Sequence, residues 1–194
     1  NMLTDPPGRS LLFFALPMIL GNLFQQFYNI ADSVIVGNFV GERALAAVGA
    51  SYAITNVFIA IAIGGGIGSS VIISQCLGAG KKSKMKTAVF TTLINFLVVS
   101  ICLGALGLFL NHRILGWVNT PGEVFSDAAL YLAVYFAGLP FLFMYNVLSA
   151  MFNALGKSRI PLYFLIFSSI FNVILDIIMV TKMDMGVAGV AWAT

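Results

Sequence analysis

The chain has 194 residues, of which 60% are hydrophobic and only 9% charged, ten Lys and Arg against seven Asp and Glu. Soluble domains carry about 25% charged residues, so the composition excludes a soluble enzyme, a disordered tail and a nucleic-acid-binding module. The net charge of +3 is spread so thinly that its placement matters more than its size, and a mean hydropathy of +0.99 points to a bilayer, where a spanning helix needs about 20 apolar residues.

Apolar runs at 10–36, 44–79, 87–110, 128–154 and 160–181 each meet that length, and a sixth begins at 187 and stops at 194. The first run covers 27 residues, roughly 40 Å at the helical rise, so it must tilt, bend or protrude. Pro17 offers a bending point because it removes a backbone hydrogen bond. The breaks read Gly37-Asn38, Gly78 to Lys84, Asn111-His112-Arg113, Asn119 to Glu123, Gly156 to Arg159 and Lys182 to Asp184. None is long enough for an extramembrane domain. Starting at Asn1 and stopping inside the small-apolar run from Gly186 to Thr194, the chain reads as a fragment. The segment from Ser10 is too long for a cleavable signal. Lys and Arg near helix ends number seven on one side (Arg9, Lys81, Lys82, Lys84, Lys86, Lys157, Arg159) and three on the other (Arg43, Arg113, Lys182). The positive-inside rule then predicts a multi-pass protein of the cell (inner) membrane with its N-terminus in the cytoplasm.

Five of the seven acidic residues fall in connections or at helix ends, but Asp32 lies in the first helix and Asp176 in the fifth. An acid in hydrocarbon costs about 2.5–3.5 kcal/mol on insertion scales, so such a residue faces a cavity or a partner. No mid-span Lys or Arg is present to pair with either. Counting back from Gly37 and from Lys182 puts both acids roughly 8–9 Å below the same end of the bundle, level enough to share a pocket. A bound cation or a shared proton would relieve their repulsion. Around them, Asn22, Gln25, Gln26, Asn29, Asp32 and Ser33 fall within a wedge of roughly 120° on the first helix. Asn172 lies one turn before Asp176 on the same face of the fifth. An amide oxygen beside a carboxylate suits Na⁺ and serves equally to hydrogen-bond a protonated carboxyl. Bound Na⁺ on Asp32, Asn172 and Asp176 is thus the one metal this pattern suggests, and no organic cofactor is expected.

Other features read more plainly. Asn22, Gln26 and Ser33 fit interhelical hydrogen bonding as well as a cavity wall. The run Gly64-Gly65-Gly66-Ile67-Gly68 reads as close helix packing or a kink, Lys81 to Lys86 as a flank able to touch anionic lipid, and Cys76 and Cys102 as buried reduced thiols. There is no His-Glu-x-x-His and no Gly-x-Ser-x-Gly, which argues against an intramembrane enzyme.

Leu16-Pro17, Gln25-Gln26 with Tyr28, Ile30-Ala31-Asp32-Ser33-Val34 and the stretch Gly41 to Gly49, followed by Asn172-Val173-Ile174-Leu175-Asp176 and Gly186 to Thr194, resemble in this order the multidrug and toxic compound extrusion (MATE) transporters. The resemblance implies an all-α polytopic membrane fold of twelve helices in two six-helix lobes. This chain would be the N-terminal lobe with its sixth helix truncated, and the missing C-terminal lobe its partner. The implied activity is efflux of small organic cations, driven by Na⁺ or H⁺ through alternating access in a lipid bilayer. By position, the resemblance assigns Asp32, Asn172, Asp176 and Thr194 to ion coupling and Pro17 to helix bending. It assigns Gln25, Tyr28 and Asn146 to the substrate cavity, and Asn29 joins them through the polar wedge. Two rivals remain. A lipid-linked oligosaccharide flippase of the same superfamily should carry cavity cations for pyrophosphate, which are absent from mid-span, and a non-transporting scaffold would leave two costly acids without a use.

Overall fold

The computed structural model describes the backbone of residues 7–183 and 185–193, and the side chains of these except at 7, 9–11, 13 and 14. Six α-helices run through the described residues: α1 (Pro7–Ile35), α2 (Glu42–Gly78), α3 (Lys82–Trp117), α4 (Gly122–Ala154), α5 (Arg159–Thr181) and α6 (Gly186–Ala193). A π-helical turn over Val36–Val40 joins α1 towards α2. Helices α2 to α5 are each long and apolar enough to cross a bilayer. The connectors 79–81, 118–121 and 155–158 are short enough that successive helices run antiparallel. Large apolar side chains such as Phe90, Phe109, Phe141 and Phe167 point outward, as lipid-facing surfaces require. The chain is an all-α, multi-pass membrane protein.

Two helix ends differ from the sequence pattern. The first break is not at Gly37-Asn38, because the backbone passes through both residues in the wider π form. It turns instead at Gly41, where φ is +106°, a conformation that costs glycine little. Nor does the chain break at Asn111-His112-Arg113. There α3 continues to Trp117 because Asn111 is buried and its amide donates to the carbonyl of Ala129 on α4 at 2.7 Å. A polar residue that resembles an end signal is an interhelical clasp. With 36 residues, α3 is roughly 54 Å long and outreaches a hydrocarbon layer of about 30 Å. The thiols also differ from expectation: Cys76 is half-buried and Cys102 is exposed, both free.

The core is centred on α4, against which α2 and α3 pack. Ala47, Ile54, Leu115, Leu132, Phe136 and Phe143 are buried there, and Phe58 meets Phe136 edge-on at 5.2 Å. On the other side α1 lies along α5, and α6 fits against α5 and α4. With lipid on the outside, burial of apolar surface drives helices together only weakly, and close packing at small residues takes over. A Cβ at Gly104 would stand 2.7 Å from the Phe136 carbonyl oxygen, and one at Gly107 would stand 2.5 Å from the Phe136 ring. In the glycine run, Gly65 seats the Phe96 ring of α3 and Gly66 seats Ala150 and Asn146 of α4, whereas Gly64 and Gly68 meet nothing within 4 Å.

This packing predicts opposite results for two glycines. Gly104→Ala drives a methyl into a backbone oxygen that cannot swing away, and overpacking of this kind costs about 1–3 kcal/mol. Gly138→Ala, with nothing within 4 Å of the new atom, should leave stability unchanged or raise it by up to about 1 kcal/mol. Thermal unfolding of the full-length protein in detergent checks this. Equal losses from both would show that the α3–α4 crossing does not depend on the missing Cβ.

Candidate functional site

Helix α5 buries Asn172, Asp176 and Val180, one turn apart and therefore on one stripe. Two of the three are polar, and Asp176 is 0% exposed. From α1, the carboxyl of Asp32 comes up against that of Asp176. Both oxygens of Asp176 and Oδ1 of Asp32 are buried and receive no hydrogen bond from the described residues. Asn172 commits its amide nitrogen to the carbonyl of Ala193 on α6 at 2.7 Å, so its Oδ1 is likewise buried without a donor. Four acceptor oxygens are thus buried here with no hydrogen bond donated to them by the described residues. Two facing carboxyls so placed disfavour double ionisation. A proton between them, or a small hard cation among the oxygens, satisfies the set.

Tyr131 of α4, buried in the same region, lies close enough to feel the charge of both acids. It was not among the sequence-derived candidates. The signal that could have found it is weak: a phenol in mid-span needs a polar partner when buried. One turn further, Tyr135 donates its hydroxyl to the carbonyl of Thr55 on α2 at 3.3 Å. On the side of the Gly41 turn, Val36, Ala44, Val180, Val187, Val190 and Ala191 pack with Tyr131 in one apolar cluster that covers the acids. Along α1 the site is open, since Asn22, Gln25, Gln26, Asn29 and Ser33 are all exposed and Tyr28 is half-buried. Ser33 donates its hydroxyl to the carbonyl of Asn29 at 2.9 Å.

The other sequence-derived positions lie as follows. Asp32, Asn172 and Asp176 come together, and Gln25, Tyr28 and Asn29 sit one to two turns from Asp32 on α1. Asn146 does not join them. It lies roughly 22 Å along α4 from Tyr131, donates to the Leu142 carbonyl of its own helix at 2.9 Å, and presents its backbone to Gly66. Pro17 is buried within an α1 that continues through it. Thr194 lies outside the described residues. The equal-depth count needs correction as well. Measured from the true turn at Gly41, Asp32 is roughly 14 Å down α1, so the two acids meet because α1 and α5 are offset along their axes.

A family model described as MatE matches residues 17–178. The chain belongs to the MatE family. Among curated relatives, the probable multidrug resistance protein YpnP of Bacillus subtilis (strain 168) is 32% identical over 186 residues, which are 96% of this chain and 42% of that protein. Among solved structures, the outward-facing conformation of a multidrug resistance MATE family transporter of the MOP superfamily matches all of this chain at 27% identity, with a TM-score of 0.94 and 43% of that chain covered. MATE in the bent conformation matches with a TM-score of 0.92 at 27% identity, again over 100% of this chain and 43% of the other. The MatE chain therefore spans less than half the length of the relatives it matches.

In this MatE chain, Asp176→Asn supplies Asp32 with a donor and removes one of two facing charges. The full-length protein carrying it should unfold several degrees above wild type in buffer free of alkali cations. Asn172→Leu, which leaves the Ala193 carbonyl without its donor, should cost about 1–3 kcal/mol. An Asp176→Asn protein that melts lower than wild type would show the carboxyl to be satisfied in some other way.

Proposed function

We propose that the protein to which this chain belongs is a secondary active multidrug efflux transporter. It exchanges small organic cations for Na⁺ or H⁺ by alternating access, and this chain forms the N-terminal of its two six-helix lobes. The observation that carries the reading is the close approach of Asp32 and Asp176, whose buried oxygens receive no hydrogen bond from the described residues. The names of the curated relatives, multidrug resistance and multidrug export proteins, agree with it. No Lys or Arg lies at mid-span, which disfavours a cavity for pyrophosphate-linked lipids. Two buried acids without a use disfavour a mere scaffold.

The mechanism follows from competition for one negative charge. The Lys and Arg bias favours the Gly41 end outside, and on this reading the acids lie in the outer half and receive their cation from that side, along the open face of α1. Oδ1 of Asn172 completes the oxygen set for Na⁺ or accepts from a protonated carboxyl. Neutralising the pair removes repulsion across the α1–α5 contact and lets α1 close on α5. Pro17 is the natural joint, since the carbonyl four residues before it lacks an intrahelical donor, and a bent conformation is known for a solved structural relative. A cationic drug held by the polar wedge, Gln25 and Asn29 among it, and by the face of Tyr28 loses its counter-charge at that moment and leaves outward. Linkage requires the reverse as well: bound drug weakens cation binding by the same factor.

The test is transport by the full-length protein in vesicles, with a fluorescent organic cation and an imposed Na⁺ or pH gradient. Asp32→Asn and Asp176→Asn should each cut gradient-driven efflux by about 5- to 150-fold, the range of a coupling of this kind. Asn172→Ala should weaken Na⁺-driven exchange more than H⁺-driven exchange. Efflux left intact in both aspartate variants would sink the scheme.

A further inference from the structure

Away from the aspartate pair, a groove of about 580 Å³ lies between the end of α2 and the start of α3, lined by Lys84, Thr87, Thr91 and Asn95 of α3 and by Ile72 and Cys76 of α2. The four α3 residues are three or four apart, so they form one stripe that descends roughly 16 Å from the connector into the span. Beside the stripe, α3 exposes Phe90, Ile94, Leu97 and Val98. The groove therefore opens on the lipid-facing side of α3, yet it is lined with hydroxyls and an amide. Polar groups at that depth call for a polar partner.

Charge at the mouth points the same way. Lys81, Lys82, Lys84 and Lys86 are all exposed there, and the first turn of α3 contains no acid. At the neighbouring α4–α5 connection stand Lys157 and Arg159, and no acidic residue lies at this end of the bundle among the described residues. Four cations thus crowd the start of a helix whose dipole is itself positive at that end, and the described residues supply no counter-charge there. A soluble anion would neutralise the mouth but leave the descending polar stripe and the Ile72 wall without a partner.

We infer that this groove holds an anionic phospholipid from the leaflet on the lysine-rich side. Its phosphate rests on Lys84, with Lys81 and Lys82 beside it. The ester carbonyls accept from Thr87 and Thr91, and one acyl chain follows Ile72. Thr87 also has its own helix to bond, donating to the Ser83 carbonyl at 3.2 Å, and a hydroxyl rotor of this kind can turn to the lipid ester. The occupied groove would tie α2 to α3 at their shared turn, on the opposite side of the core from the α1–α5 contact.

Cys76 is a built-in reporter, being free and half-buried in the groove wall. The experiment uses the full-length protein with Cys76 as its sole cysteine, in phosphatidylcholine–detergent micelles, and follows the rate of maleimide labelling. Added phosphatidylglycerol should slow labelling in a saturable manner, and glycerol phosphate should not. Lys84→Gln should raise the phosphatidylglycerol concentration needed for half-protection about fivefold, as expected for one lysine near an anionic headgroup. Thr91→Val in the same protein should raise it further. Lys157→Gln, the same charge change at the same end but off the groove, should leave it unchanged. The proposal is overturned by any of four results: Cys76 that does not label in phosphatidylcholine, labelling indifferent to phosphatidylglycerol, protection by glycerol phosphate alone, or equal effects of Lys84→Gln and Lys157→Gln.

Discussion

Asp32 and Asp176 meet with their buried oxygens receiving no hydrogen bond from the described residues, and this contact constrains everything near it. Each buried carboxylate forgoes hydration, and the two together add repulsion. Arginine or lysine would cancel both costs permanently, and the chain places neither at mid-span. In the proposed mechanism the charge balance comes from outside the chain, from a proton or a cation. A site left unsatisfied in this way sacrifices stability for responsiveness, the usual trade at functional positions.

The surrounding fold makes that arrangement rigid on three sides and open on the fourth. Asn172 is fixed by its bond to Ala193, which ties α6 to α5 and leaves its buried Oδ1 without a donor. Gly189 lets α6 come this close, since a Cβ there would stand 3.1 Å from Met179 Cβ. The valines of α5, α6 and the π turn pack together at the Gly41 end. Tyr131 closes the side towards α4. Among the described residues it is α1 that borders open space, and its amides Asn22, Gln25, Gln26 and Asn29 are exposed.

Much of this was legible in the sequence wherever the signal is local. Spanning length, the rarity of mid-span acids, and the one-turn spacing of Asn172 and Asp176 depend on composition and helical period alone. Signals that depend on a distant partner misled or were silent. Asn111 looked like the end of a helix because its acceptor, Ala129, is 18 residues away. Gly37-Asn38 looked like a turn because a π-helical passage has no compositional mark. Tyr131 is one of several tyrosines on α4, and only the placement of α1 and α5 against it distinguishes it from Tyr145. The depth count erred for the same reason: the axial offset of two helices is set by packing, and the acids meet despite unequal distances from their turns.

The division of labour between helices explains why the acids sit where they do. Helix α4 buries ten residues along its length, and Phe136 is held against two glycines and the Phe58 ring. Shifting it would open or overfill several such contacts, each worth about 1–3 kcal/mol. Among its described side chains α1 buries only Pro17 and Ile35, and it rests mainly on α5. A ligand coupling of about 1–3 kcal/mol is too small to repack α4 but suffices to move a helix held along one side. Under the proposed mechanism, placing one carboxyl on that loosely held helix and the other on α5 would convert the arrival of a single positive charge into movement of the element least costly to move. Had both acids been on α4 and α5, the same charge would have been bound without any part of the bundle free to respond.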